Sequence, residues 1–221
     1  MPTSVKILAI EPVTHNVRRY TVEKPKGFTF EPGQATEVSL DLDDWREEKR
    51  PFTFTALAEW PDLEFTIKSY FDHDGVTARL GRLEPGASLL LRDVWGTITY
   101  KGPGTFIAGG AGVTPFIAIL RRLAKDGQLA GNRLIFSNKR EEDIILRDEF
   151  EAMQGLDRLF TLTEEKVPGL LNERIDAGFL KRHVKDFSGR FYVCGPDQMV
   201  KDLRRTLGEL GAQTDSVTFE K

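Results

Sequence analysis

Apolar positions in the first hundred residues fall in short runs mixed with polar ones. The runs are VKILAI (5–10), RRYTVE (18–23), ATEVSL (35–40), PFTFTAL (51–57), LEFTIKSY (63–70) and SLLLRDV (88–94). Turn formers divide them at KPKG, EPGQ, EWPD and LEPG, where glycine and proline supply backbone angles that a strand does not continue through. One stretch, GVTARLGRL (75–83), has helical spacing. Many short strands in succession predict a six-stranded antiparallel barrel over residues 1–100.

From KGPG (101–104) onward the pattern changes to apolar strands alternating with amphipathic helices. Strands are predicted at TFIAGG (105–110), RLIFSN (133–138), RLFTLTEE (158–165), RFYVCG (190–195) and SVTFE (216–220). Helices are predicted at PFIAILRRLAK (115–125), LRDEFEAM (146–153), AGFLKRHV (177–184) and PDQMVKDLRRTLGEL (196–210). Continuous apolar strands between helices imply a five-stranded parallel sheet covered on both faces, a second domain of α/β class over residues 101–221.

Composition narrows the chemistry. The 221 residues carry a net charge of −3, which gives no general reason to bind nucleic acid. Cys194 is the single cysteine, so the chain has no intramolecular disulfide and cannot itself ligate an iron–sulfur cluster. His15, His73 and His183 lie far apart and form no metal-ligand spacing. No apolar run reaches the roughly 20 residues that span a bilayer, and the start, MPTSVKILAIEP, lacks the pattern of a secretory signal. The expectation is a cytoplasmic enzyme.

Residues 1–100 hold 12 basic and 16 acidic side chains, and the remainder holds 19 and 18. Basic residues cluster at Arg121/Arg122/Lys125, Lys181/Arg182/Lys185 and Arg204/Arg205. Two readings stand: solvated helix faces, or a basic surface that receives an acidic partner protein.

Candidate chemistry sits at two strand-to-helix turns. IAGGAGVTP (107–115) places Gly109, Gly110 and Gly112 after an apolar strand, with Thr114 as N-cap and Pro115 opening a helix. A turn without side chains and a helix N-terminus together suit an anion, and pyrophosphate is the natural occupant. The spacing is neither G-x-G-x-x-G nor a P-loop, and a turn needing glycine for sterics alone is the competing reading. YVCGPDQM (192–199) repeats the logic with Cys194, Gly195 and Pro196.

In this order, and behind a barrel, the motifs FEPGQ (30–34), RPFT (50–53), DGVTARL (74–80), GGAGVTP (109–115) and CGPDQM (194–199) resemble the ferredoxin–NADP reductase family across nearly the whole chain. The resemblance implies a flavin on the barrel and a nicotinamide cofactor on the sheet domain. RPFT looks like the family's Arg-x-Tyr-Ser/Thr flavin motif, which assigns Arg50, Pro51, Phe52 and Thr53 to the flavin. Arg50 would pair with its phosphate, Phe52 would lie against the isoalloxazine, and Thr53 would face N5. Phe52 stands where tyrosine is usual, so a phenolic hydrogen bond to the ribityl chain is absent.

DGVTARL resembles the family's second phosphate site, with Gly75, Val76 and Thr77 as its backbone and Asp74 in the usual glycine place. Lys68, Tyr70 and Phe71 precede it, and aromatic rings available to an adenine favour FAD over FMN. On the sheet domain the resemblance assigns Gly110, Gly112, Val113 and Thr114 to the cofactor's pyrophosphate, and Cys194, Gly195 and Pro196 to the nicotinamide. It assigns Ser137, Lys139 and Arg140 to the adenosine ribose. Those basic residues favour NADPH over NADH, against Glu141, Glu142 and Asp143 beside them. Glu220 resembles the acidic residue that the family keeps near the flavin.

The implied reaction carries hydride from NAD(P)H to FAD N5 and then electrons to a separate acceptor, ferredoxin or flavodoxin, or a small molecule such as free flavin or a ferric chelate. The expected catalytic residues are Thr53, Cys194 and Glu220, in a cleft between the two domains. A regulatory nucleotide-binding module without turnover is the alternative, supported by the departures at Asp74 and Phe52.

Overall fold

The computed structural model describes residues 2–72, 74–96, 98–212 and 217–219, the last three by backbone alone. The chain groups by its contacts into two units, residues 1–99 with 114–122, and residues 100–113 with 123–221.

In the first unit, strands β1 (Thr3–Pro12), β2 (Val17–Val22), β3 (Gln34–Leu40), β4 (Arg50–Thr53), β5 (Leu63–Lys68) and β6 (Ser88–Gly96) form one antiparallel sheet. Their order is β4-β3-β6-β1-β2-β5. A bridge between Phe54 and Phe65 and a hydrogen bond from the Thr55 N–H to the Glu64 carbonyl, 2.8 Å, bring the two edges together. This seam covers part of each edge, the usual hazard of an antiparallel sheet, and leaves the rest of β4 as an edge strand.

The alternating pattern predicts the inward faces. Val5 and Ile7 of β1, Val38 and Leu40 of β3 and Leu89 and Leu91 of β6 all point into one core. An aromatic group fills its closing end, where Phe54 stacks on Phe30 at 4.4 Å between centroids and lies 5.1 Å from Phe65. Closure comes earlier than the run PFTFTAL suggests: β4 ends at Thr53, and Phe54 makes only the isolated bridge. The run from 75 to 83 likewise forms only the short helix α1 (Val76–Leu80), which ends at Gly81.

In the second unit, β7 (Gly104–Gly109), β8 (Arg133–Asn138), β9 (Asp157–Leu162), β10 (Arg190–Cys194) and β11 (Val217–Phe219) are all parallel, in the order β11-β10-β7-β8-β9. Consecutive residues Phe106–Ala108, Leu134–Phe136 and Phe191–Cys194 are buried, as a sheet covered on both faces requires. Tyr192 shows how a polar end is accommodated inside. Its hydroxyl donates to the Gly102 carbonyl at 2.7 Å and accepts from the Lys101 N–H at 2.9 Å.

Helices α2 (Thr114–Lys125), α3 (Arg147–Ala152), α4 (Ala177–His183) and α5 (Asp197–Glu209) alternate with these strands. Residues 114–122 of α2 nevertheless group with the barrel. Among the described residues no helix is long and apolar enough to cross a membrane, and no cluster of side chains could hold a metal ion.

Candidate functional site

On the barrel, β4 pairs with β3, setting Thr53 against Ala35, Phe52 against Thr36 and Pro51 against Glu37. Arg50 and Pro51 are exposed, Phe52 is half-buried and Thr53 is buried. Pro51, with no N–H to donate, is tolerated on this edge strand. Phe52 packs one side of its ring on the barrel core, and Arg50 donates through Nη1 to the Lys49 carbonyl at 2.7 Å. The strand thus presents a guanidinium, part of an aromatic face and a threonine backbone in series.

Tyr70 and Phe71 follow β5 and are 45% and 51% exposed. Two adjacent aromatic side chains left half open on a barrel with a filled core are surface suited to a flat ring system. The Lys68 ammonium lies 5.8 Å from the Tyr70 ring centroid, and Phe71 packs over Gly81, where a Cβ would come within 2.7 Å of its ring.

Gly75 precedes α1 in extended conformation, with no side chain capping the helix. Asp74, the departure from the family pattern, does not leave a bare negative charge there. Arg79 grips its carboxylate with Nε and Nη2 at 2.8 and 2.6 Å, and these hydrogen bonds hold the Asp74 carboxyl below the usual carboxylate range. Arg79 also lies over the Trp45 ring at 4.9 Å. That contact joins α1 to the loop leading into Arg50, so the two predicted flavin segments share one side of the barrel.

On the parallel sheet, Cys194 lies in register with Ala108, and Gly109 with Ser137. The glycine turn, the Cys-Gly-Pro turn and the segment from Ser137 to Arg140 therefore leave neighbouring strands at one carboxyl edge, where ligands bind in open α/β sheets. The glycines there do different work. Gly110 has φ +52° and open space where a Cβ would project. A Cβ on Gly112 would sit 2.5 Å from the Cys194 carbonyl group and the Gly195 nitrogen, so close packing of the two turns requires that glycine. Met199, which sequence reasoning missed, places its sulfur where side chains on Gly109 and Gly195 would project, 2.5 and 3.2 Å from a Cβ at each.

Residues Gly110–Val113 form a tight 3₁₀ turn that runs directly into α2. Thr114 is the first residue of that helix rather than its cap. Val113 and Cys194 are buried, Gly195 is half-buried and Pro196 is exposed. Ser137 is half-buried at the end of β8, with Lys139 and Arg140 exposed beyond it. The acidic residues beside them have partners of their own. Glu141 pairs with Arg147, and Asp143 accepts from the Arg140 N–H at 3.0 Å. Lys139 pairs with Glu164 at 3.2 Å, whereas the Arg140 guanidinium has no ion-pair partner among the described residues. Glu220, the third expected catalytic residue, lies outside the described residues.

One expectation is overturned. In the Arg121/Arg122/Lys125 cluster, Arg121 belongs neither to a solvated face nor to a docking surface, because it is 9% exposed and bonded to Glu64. Arg122 is likewise paired, with Glu59. In the other two clusters Arg182 pairs with Glu173, and Arg205 with Asp202.

Known proteins match this arrangement. Residues 106–205 match the oxidoreductase NAD-binding domain family. The chain is 31% identical over 242 residues to ferredoxin–NADP reductase B of Sorangium cellulosum, covering all of this chain and 97% of that protein. It is 24% identical to the ferredoxin–NAD(P)(+) reductase component of the naphthalene 1,2-dioxygenase system of Pseudomonas putida, covering 96% of this chain and 66% of that one. A ferredoxin NADP+ reductase from Neisseria gonorrhoeae, solved with bound FAD and NADP, superposes with a TM-score of 0.87 at 22% identity, over 99% of this chain and 98% of that one. Fold, strand-edge geometry and full-length similarity agree: the chain belongs to the ferredoxin–NADP reductase family of NAD(P)H-dependent oxidoreductases.

Proposed function

We propose that the chain uses NADPH to reduce a bound FAD and passes the electrons to a separate acceptor, a ferredoxin or flavodoxin. The observation that carries this reading is the adjacency of the glycine turn and the Cys-Gly-Pro turn on strands in register at one sheet edge.

The barrel residues suit FAD in particular. Arg50 is an exposed guanidinium able to pair with phosphate. The uncapped start of α1 offers backbone N–H groups to a second phosphate, and the half-open rings of Tyr70 and Phe71 offer stacking to an adenine. When bound, FAD supplies a hydride-accepting N5 and the ability to hand on electrons singly. The protein's part is alignment. Phe52 would support the flavin ring, Thr53 would offer it a hydrogen-bonding group, and the 3₁₀ turn at Gly110–Val113 would hold the nicotinamide cofactor's pyrophosphate. Buried Cys194 limits how far the nicotinamide can enter. The pairing of Asp74 with Arg79 weakens one of the two grounds for a module without turnover.

Anaerobic mixing of the FAD-reconstituted chain with NADPH tests this. The expected result is bleaching of flavin absorbance within seconds, followed by reoxidation on adding ferredoxin or flavodoxin. A chain that stays colourless after reconstitution with FAD would sink the reading.

Coenzyme choice rests on Arg140, whose guanidinium is open to a 2′-phosphate while Glu141 pairs with Arg147 and Asp143 accepts from the Arg140 backbone N–H. Arg140→Ala is expected to raise the KM for NADPH by about 10–100-fold, the value of a lost charge-assisted contact, and to leave that for NADH within about twofold. Equal changes in both would refute the assignment.

A further inference from the structure

We infer that the buried Arg121–Glu64 pair is a positioning device for hydride transfer. It holds Thr114, assigned above to the nicotinamide cofactor's pyrophosphate, in a fixed relation to the strand that carries the flavin residues. The inference rests on the flavoenzyme reading.

Alternation along β5 turns Leu63, Phe65 and Ile67 into the barrel core and Glu64 and Thr66 outward. Outward residues of a closed barrel normally meet water, yet Glu64 is 7% exposed. Arg121 covers it. The Arg121 Nη1 donates to Glu64 Oε1 at 2.6 Å and to the Thr55 carbonyl at 2.7 Å. The Thr55 hydroxyl donates to the same Glu64 oxygen at 2.7 Å and lies 3.3 Å from the Thr66 hydroxyl. Arg19 stands 4.0 Å from the other carboxylate oxygen, and the Arg121 guanidinium lies 5.3 Å from the Trp60 ring centroid. The same helix also packs near Gly33 (φ +90°), where a Cβ would lie 2.1 Å from the Ile98 carbonyl oxygen and 3.1 Å from Ile119 Cδ1.

A buried ion pair is weak evidence for stability, because desolvation offsets much of its attraction. What it adds over an apolar contact is direction. Arg121 bonds acceptors from two separate segments, Thr55 just after β4 and Glu64 on β5, which restrains both sliding and rotation of α2. Thr55 is two residues from Thr53. Arg121 is seven residues from Thr114, about 10 Å along the helix axis. The helix is thus a short rigid arm with the flavin strand at its root and a pyrophosphate residue at its tip. Displacement of the reacting groups by about 1 Å can cost about 100-fold in rate.

The test is Arg121→Lys, which keeps the charge and replaces the planar guanidinium, whose Nη1 reaches both acceptors, by a compact ammonium. The expected variant binds FAD and NADP+ within about threefold of wild type. Its limiting rate of flavin reduction by NADPH should fall about 10–100-fold, and the long-wavelength charge-transfer absorbance of the nicotinamide–flavin complex should weaken. If Arg121→Lys does not fold, the double variant Glu64→Gln with Arg121→Met, which leaves no buried unpaired charge, is measured in its place with the same expectation. A folded variant with full reduction rate and an unchanged charge-transfer band overturns the inference. A wild-type chain that binds no FAD overturns the flavoenzyme reading as well, so the two failures are distinguishable.

Discussion

Gly112→Ala is expected to lower the melting temperature by about 6–12 °C and to weaken NADP+ binding at least about tenfold. The added methyl would lie 2.5 Å from three backbone atoms, the Cys194 carbonyl carbon and oxygen and the Gly195 nitrogen. No rotamer change relieves such an overlap, because backbone cannot swing aside as a long side chain can. Either the glycine turn or the end of β10 must shift, and overpacking of this kind costs about 3 kcal/mol, with about 2–4 °C per kcal/mol for a chain of this size. Both turns are assigned to the nicotinamide cofactor, so the shift falls on its binding surface.

Gly110→Ala provides the contrast. Its Cβ would meet open space, and only the positive φ is costly, about 1–2 kcal/mol. Thermal melts and NADP+ titrations of the two variants therefore separate steric packing from backbone freedom. A Gly112→Ala protein that melts within about 2 °C of wild type would show that the turns are not packed as described.

Phe54→Ala is expected to destabilise the barrel unit by about 3–5 kcal/mol. Phe54 is 0% exposed, contacts Phe28, Phe30 and Phe65 at centroid distances of 5.7, 4.4 and 5.1 Å, and makes the bridge that closes β4 on β5. Truncation leaves a cavity at the seam, and the rings around it are themselves held by the same closure. Thr53, the preceding residue, then loses its fixed position, so FAD retention is expected to fall with stability. Phe54→Leu retains much of the volume and should recover most of both. Urea unfolding, with flavin release followed by its fluorescence, measures the two together; flavin retention unchanged in a destabilised Phe54→Ala would separate the seam from the flavin strand.

Much of the architecture was legible along the chain because its causes are local. Apolar alternation marked the barrel strands, and continuous apolar runs marked β7, β8 and β10, since a covered parallel sheet tolerates no polar face. Both site turns could be read because glycine and proline after an apolar strand leave the backbone few other conformations. The element bounds were less legible. PFTFTAL carries the strand pattern to residue 57, but pairing stops at Thr53 because the barrel closes there through Phe54. In the site, the motif residues were identifiable one by one. That Asp74 would be paired with Arg79, or that Met199 would back the glycine turn, depends on side chains meeting in space.

Arg121 marks where local reading stops. From sequence it belongs to a basic helix face, and periodicity alone gives no reason to bury it. Its partner Glu64 stands 57 residues earlier and itself reads as a solvent-facing position on an alternating strand. Neither neighbourhood gives a reason to bury its residue, and the fold removes both from water by laying one over the other. The order of strands, helices and glycine-rich turns could be read along the chain, because those choices are made within about ten residues by periodicity and turn chemistry. Only the tertiary structure decided which outward faces are covered, which glycines are needed for packing and which charges are paired, because each of those depends on what a distant segment brings alongside.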